Sequence, residues 1–119
     1  MTFTITIPLR LDSMLNLRLH WASKHRKVKA LRDAAIVVPL GLPVPCTVII
    51  TRIAPRGLDG DNLQGACKPI RDGIADRLDV DDRDRRVTWL YDQERGKARE
   101  YGVRISITGA GNYGNRTES

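Results

Sequence analysis

The chain has 119 residues, a formal net charge of +6, 41% hydrophobic and 29% charged residues. That length supports one modest core and is too short for two. The composition is that of an ordinary globular protein, and no apolar run approaches the ~20 residues of a membrane-spanning helix, so membrane insertion is excluded.

The first element is "TFTITI" (2–7), where Phe3, Ile5 and Ile7 alternate with threonine. Period-2 alternation predicts a half-buried strand, ended by Pro8. The N-terminus lacks a basic region followed by a long apolar stretch, so a cytoplasmic protein is expected. Residues 9–22 read as loop, with Trp21 as an anchor. His20 and His25, five apart, do not share a helical face as the two histidines of an HExxH pair do.

Ser23 is the expected N-cap of a helix over "KHRKVKALRDAAIVV", in which Val28, Leu31, Ala35 and Val38 recur at helical spacing, closed by Pro39 and Gly41. Its polar side carries Lys24, Arg26, Lys27, Lys29 and Arg32. These cations suit a phosphate backbone and equally suit a solvated face. "CTVIITRIA" (46–54) is rich in β-branched residues and predicts a second strand. "VTWLYDQ" (87–93) and "EYGVRISIT" (100–108) predict two more, joined by "ERGKAR" as a hairpin. Cys46 and Cys67 match neither CxxC nor zinc-ligand spacing and read as buried thiols. The order β-α-β-α-β-β predicts an α+β fold, a mixed sheet with two main helices packed on one face. A single domain over 1–108 is expected, with the Gly/Asn-rich 109–119 expected as a flexible tail.

Charge is segregated. Residues 1–56 carry nine Lys/Arg against Asp12 and Asp33, residues 59–84 carry eight Asp against four basic residues, and residues 85–119 carry seven basic against four acidic. A basic surface is the footprint of a polyanion binder, because neutralising phosphates releases counterions.

The acidic stretch predicts a helix from Asp61. Leu63, Ala66, Ile70 and Ile74 form its apolar face, and Asp61, Lys68 and Asp72 share one stripe opposite. Pro69 lies mid-helix, where it predicts a kink or a second helix start. If both helix ends meet one region, Asp59, Asp61, Asp81 and Asp82 converge; clustered carboxylates repel unless a cation such as Mg²⁺ holds them. The same aspartates also suit N-caps and turns. An EF-hand fails, because Leu63, Gln64 and Ile70 (from Asp59), or Arg83 (from Asp79), stand where that loop needs ligands or glycine.

The run "DGDNLQGACKPIRDGIADRLDVDD" resembles the RusA family of Holliday junction resolvases, with their Asp-x-Asp-Asn element, downstream lysine and closing Asp-Asp pair. The resemblance implies a homodimeric, Mg²⁺-dependent endonuclease that makes paired nicks in four-way DNA junctions, in phage DNA processing, recombination or repair. By position it implies Asp59, Asp61 and Asp82 as catalytic metal ligands, with Asp81 the adjacent alternative. Lys68 would be the catalytic lysine, and Asn62 a DNA contact beside Lys24, Arg26, Lys27 and Lys29. The family's lysine follows the second Asp by about one helical turn, where Gly65 stands here; Lys68 comes a turn later. The family's N-terminal Pro/Ser-x-Asn element is met loosely by "DSMLN" with Asn16. A catalytically inactive junction or DNA-binding protein is the alternative.

Overall fold

The computed structural model describes residues 2–12 and 21–109. Asn16, His20 and all of the expected tail beyond Gly109 lie outside the described residues. The elements are β1 (Thr2–Ile7), α1 (Trp21–Asp33), a 3-10 turn (Ala34–Val37), β2 (Cys46–Ala54), α2 (Gly60–Leu78), β3 (Val87–Arg95) and β4 (Gly102–Gly109). This is the expected α+β class, with a mixed sheet and two helices.

The sheet order is β1-β4-β2-β3, with β1/β4 and β4/β2 antiparallel and β2/β3 parallel. The expected β3–β4 hairpin does not form, because β2 lies between them. The physical reason is burial: every residue of β2 is buried or half-buried, so its backbone is best satisfied by a partner on each edge. Parallel β2/β3 pairing requires a long crossover, which α2 supplies. The segment between β3 and β4 then passes the end of β2, where the Gly96 amide donates to the Ala54 carbonyl at 2.9 Å.

Val48 and Ile50 of β2, with Val103, Ile105 and Ile107 of β4, are fully buried and meet Leu63, Ala66, Ile70 and Ile74 of α2 in one core cluster. The apolar stripe expected for α2 is therefore the one it buries. Phe3, Ile5 and Ile7 are half-buried against that core, as the alternation of β1 predicts. Helix α2 lies against β2 and β3, while α1 packs chiefly on α2. Their contact is close at Gly73, where a Cβ would run into the Arg32 carbonyl oxygen and lie 2.8 Å from Ala35 Cβ.

Four local expectations are corrected. Helix α1 already includes Trp21 and Ala22, so Ser23 lies inside it, accepting a 3.2 Å hydrogen bond from Arg26, instead of capping it. Trp21 is 68% exposed, edge-on to His25, and does not anchor the core; Val28 is also exposed. The α-helix stops at Asp33 and tightens into the 3-10 turn, and Val38 is extended (φ −76°, ψ 124°), as a residue before proline prefers. Helix α2 runs unbroken through Pro69, which is buried. The carbonyl that loses its partner belongs to Gly65, an exposed residue open to water.

Cys46 and Cys67 are free and buried, as expected, and burial pushes the Cys67 thiol up to about 12. No described helix is long and apolar enough to cross a membrane.

Candidate functional site

The acidic segment is displayed by α2 and the turn after it. Asp59 is the N-cap of α2: its Oδ1 accepts from the Asn62 amide at 3.0 Å and its Oδ2 from Asn62 Nδ2 at 3.1 Å. Both carboxylate oxygens thus satisfy one neighbour, the capping role open to this residue from sequence. Asp61 is exposed in the first helical turn. The loop before the cap is fixed by Gln93 of β3, whose Oε1 accepts from the Leu58 amide and whose Nε2 donates to the Leu58 carbonyl, both at 2.7 Å.

Two turns further on, Lys68 Nζ donates to Asp72 Oδ1 at 3.1 Å and to Asp82 Oδ2 at 3.4 Å. The first is the i,i+4 pair implied by the stripe. The second comes from chain reversal: Asp79 caps α2 in the left-handed conformation (φ 56°, ψ 47°), and its amide and that of Val80 close onto the last turn. The chain then doubles back along α2 and brings Asp82 beside Lys68.

Arg71 holds that return. Its NH2 donates to the Asp82 carbonyl at 2.7 Å and its NH1 to Tyr91 Oη at 2.8 Å, and its guanidinium stands 4.8 Å from the centroid of the Trp89 ring. Asp81 Oδ1 accepts from the Arg83 amide at 2.9 Å. Asp84 accepts from the Arg86 side chain and amide, which holds its carboxyl at about 2. Sharing a proton with Asp81, and then the bond donated by Lys68, lower the pKa of Asp82. Bonding to Asp72 first, and to Asp82, raises that of Lys68, which stays a cation.

A cleft of about 320 Å³ is lined by Lys68, Asp72, Asp81 and Asp82, with Arg32 and Asp76 paired at its side at 2.6 Å. It gathers Lys68, Asp81 and Asp82 of the expected site. Asp59 and Asp61 do not line it: seven residues of helix separate Asp61 from Lys68, roughly 10 Å along the axis. Among the described residues no group of three or more His, Cys, Asp or Glu side chains is placed to hold a metal ion. The donor set is all carboxylate, the hard-oxygen chemistry that suits Mg²⁺, which takes one or two carboxylates with water and phosphate oxygens. The neighbouring Asp81 and Asp82 meet that requirement by type.

The basic face of α1 is partly spent within the chain. Lys27 pairs with Asp12 at 3.2 Å, Lys29 with Asp33 at 2.8 Å, and Arg26 bonds Ser23. Lys24 is half-buried. Sequence reasoning passed over Arg71, Tyr91 and Gln93, the residues that fix the two acidic loops. Their partners are backbone groups or residues distant in sequence, so no local pattern marks them.

No family model matches the chain. It is 37% identical over 86 residues to an uncharacterized protein of Xylella fastidiosa (strain Temecula1), an alignment covering 60% of this chain and 54% of that protein. The chain therefore spans about half the length of the curated relative it matches.

Proposed function

We propose that the chain is a Mg²⁺-dependent, structure-selective endonuclease of the RusA type, a cytoplasmic homodimer that resolves four-way DNA junctions by paired phosphodiester hydrolysis in recombination and repair. The observation that carries this reading is the contact of Lys68 with Asp82. It joins the helix of the Asp-x-Asp-Asn element to the closing Asp-Asp pair, two parts that are far apart in sequence and that the activity needs together.

In this reading Asp82 and Asp81, in the cleft beside Lys68, would hold the ion, and Asp61 and Asp59, at the start of α2 and outside that cleft, are the further ligands the resemblance implies. Bound Mg²⁺ would supply a water of lowered pKa and charge stabilisation for the phosphoryl group. Lys68, kept cationic by Asp72 and Asp82, neutralises charge on the scissile phosphate or leaving oxygen. A two-fold dimer presents two such sites, which paired nicks in a symmetric junction require. Asn62 and the cations Lys24, Arg26, Lys27 and Lys29 of α1 contact the DNA.

One observation favours the alternative, a junction binder without cleavage: the ammonium of Lys68 already bridges Asp72 and Asp82, so the chain supplies a cation of its own there. Cleavage of a labelled synthetic four-way junction, against a linear duplex, with Mg²⁺ or EDTA and with Asp61→Asn, separates the two. Paired Mg²⁺-dependent nicks that the variant loses are expected. Junction binding with no nicks under any metal condition overturns the nuclease reading in favour of the binder.

A further inference from the structure

A second cleft, outside the acidic site, opens at the carboxyl ends of the parallel strands β2 and β3. It holds about 450 Å³ and is lined by Arg52, Arg56, Gly57, Gln93, Glu94 and Arg95, among others. Three arginines line it. Glu94, the one carboxylate of the lining, is turned to Arg104 at 2.9 Å. Among the described residues, none of Arg52, Arg56 and Arg95 has a carboxylate within ion-pair distance.

Arg52 is the unusual member, only 5% exposed. Its Nε donates to the Leu11 carbonyl at 2.7 Å and its NH1 to the Arg56 carbonyl at 2.6 Å. These bonds satisfy two donors and fix the backbone of Arg56; the guanidinium has no carboxylate in ion-pair contact, and burial lowers its pKa while the charge of Asp12 opposes that only in part. A buried cation with no carboxylate in direct contact is costly, and an anion in the cleft offsets that cost. The floor is firm, since Gln93 is clamped to Leu58.

We infer that this cleft binds phosphate groups of a DNA backbone, an inference that rests on the nuclease reading for its choice of anion. Guanidinium forks match phosphate oxygens in two-bond geometry. No aromatic ring lines the cleft, so it offers nothing for a base to stack on and holds the backbone independently of sequence. Gly57 lies two residues before the Asp59 cap. A phosphate held here anchors the strand one short loop upstream of Asp61.

The test is fluorescence anisotropy of a labelled four-way junction in EDTA between 50 and 200 mM salt, with wild type, an Arg56→Gln/Arg95→Gln pair and an Arg56→Lys/Arg95→Lys pair. Both positions are exposed, and circular dichroism confirms that the variants fold. The Gln pair is expected to bind about tenfold or more weakly, with a salt slope shallower by about 1.8, two phosphates at ~0.9 each, while the Lys pair keeps the slope. A Gln pair within twofold of wild type, at unchanged slope, overturns the cleft while leaving any Mg²⁺-dependent nicking, scored in parallel, to support the nuclease. A binding defect alongside a wild type that never nicks does the reverse. A wild type that binds no DNA overturns both.

Discussion

The Lys68 ammonium lies 3.4 Å from the Asp82 carboxylate, joining the middle of α2 to the loop that follows it. Lys68 is 59% exposed, so the pair contributes little to folding. Its value, if the chain is a nuclease, is the cation it sets beside the acidic loop. Lys68→Gln is expected to leave the thermal midpoint unchanged and to slow single-turnover junction cleavage by about 100-fold, the scale of losing one charge-stabilising donor. Equal cleavage by variant and wild type would assign Lys68 to the surface.

The same pair fixes a pH window. Asp82 is depressed, so its contribution is present above the ordinary carboxylate value and lost as pH falls through the lowered one; Lys68 is raised, so its contribution is present below the ordinary lysine value and lost as pH rises through the raised one. The full contribution of the pair is therefore present from about pH 4 to about pH 10 and is lost only beyond those limits. NMR titration of the Asp82 carboxyl should place its midpoint below that of an ordinary aspartate, and Lys68→Gln should move it upward. A midpoint that ignores the substitution would contradict the pairing.

Two glycines of α2 predict opposite outcomes for one substitution. At Gly73 a new methyl meets the Arg32 carbonyl oxygen and Ala35, so Gly73→Ala forces α1 and α2 apart and costs about 1–3 kcal/mol. At Gly65 nothing lies within 4 Å of the new Cβ, and Gly65→Ala is expected to gain about 0.5–1 kcal/mol by restricting the unfolded chain. Urea unfolding of the two variants tests this; changes of the same sign would refute the helix contact.

Much of this was legible in the sequence because it is local. The alternation of β1, the β-branched run of β2 and the apolar stripe of α2 each carry their own period, and burial followed it. Strand order was not legible: β3 and β4 have hairpin spacing, and only the burial of β2 between them decides the pairing. The site divides in the same way. The cap at Asp59 and the Lys68–Asp72 pair lie within one helix and follow from spacing. Where Asp82 lands depends on the left-handed turn at Asp79 and on Arg71 reaching the Asp82 carbonyl, neither of which has a local signal.

Asp59 and Asp61 are neighbours with separable roles. Asp59→Ala removes the cap of α2 and is expected to cost about 1 kcal/mol, whereas Asp59→Asn keeps an acceptor oxygen and costs a few tenths. If Asp59 also serves the metal, Asp59→Asn retains stability and loses cleavage. Chemical denaturation paired with junction cleavage reads both quantities. Full activity in Asp59→Asn would confine the residue to capping.

Cys67 supplies a prediction independent of function. It is fully buried in α2 against the core, and burial holds its thiol at about 12, a shift that nearby Arg52 opposes only in part. The unfolded thiol ionises near about 8.5. The folded value is raised, so the contribution is complete below the unfolded value and is lost as pH rises toward the folded one. Between those limits wild-type stability should fall relative to Cys67→Ala by up to about 1.4 kcal/mol per pH unit. Native protein at pH 8 should also resist thiol reagents until it unfolds. Urea unfolding of both proteins at pH 7 and pH 10 measures the slope; parallel stabilities, together with rapid labelling of the native thiol, would show that Cys67 is open to solvent.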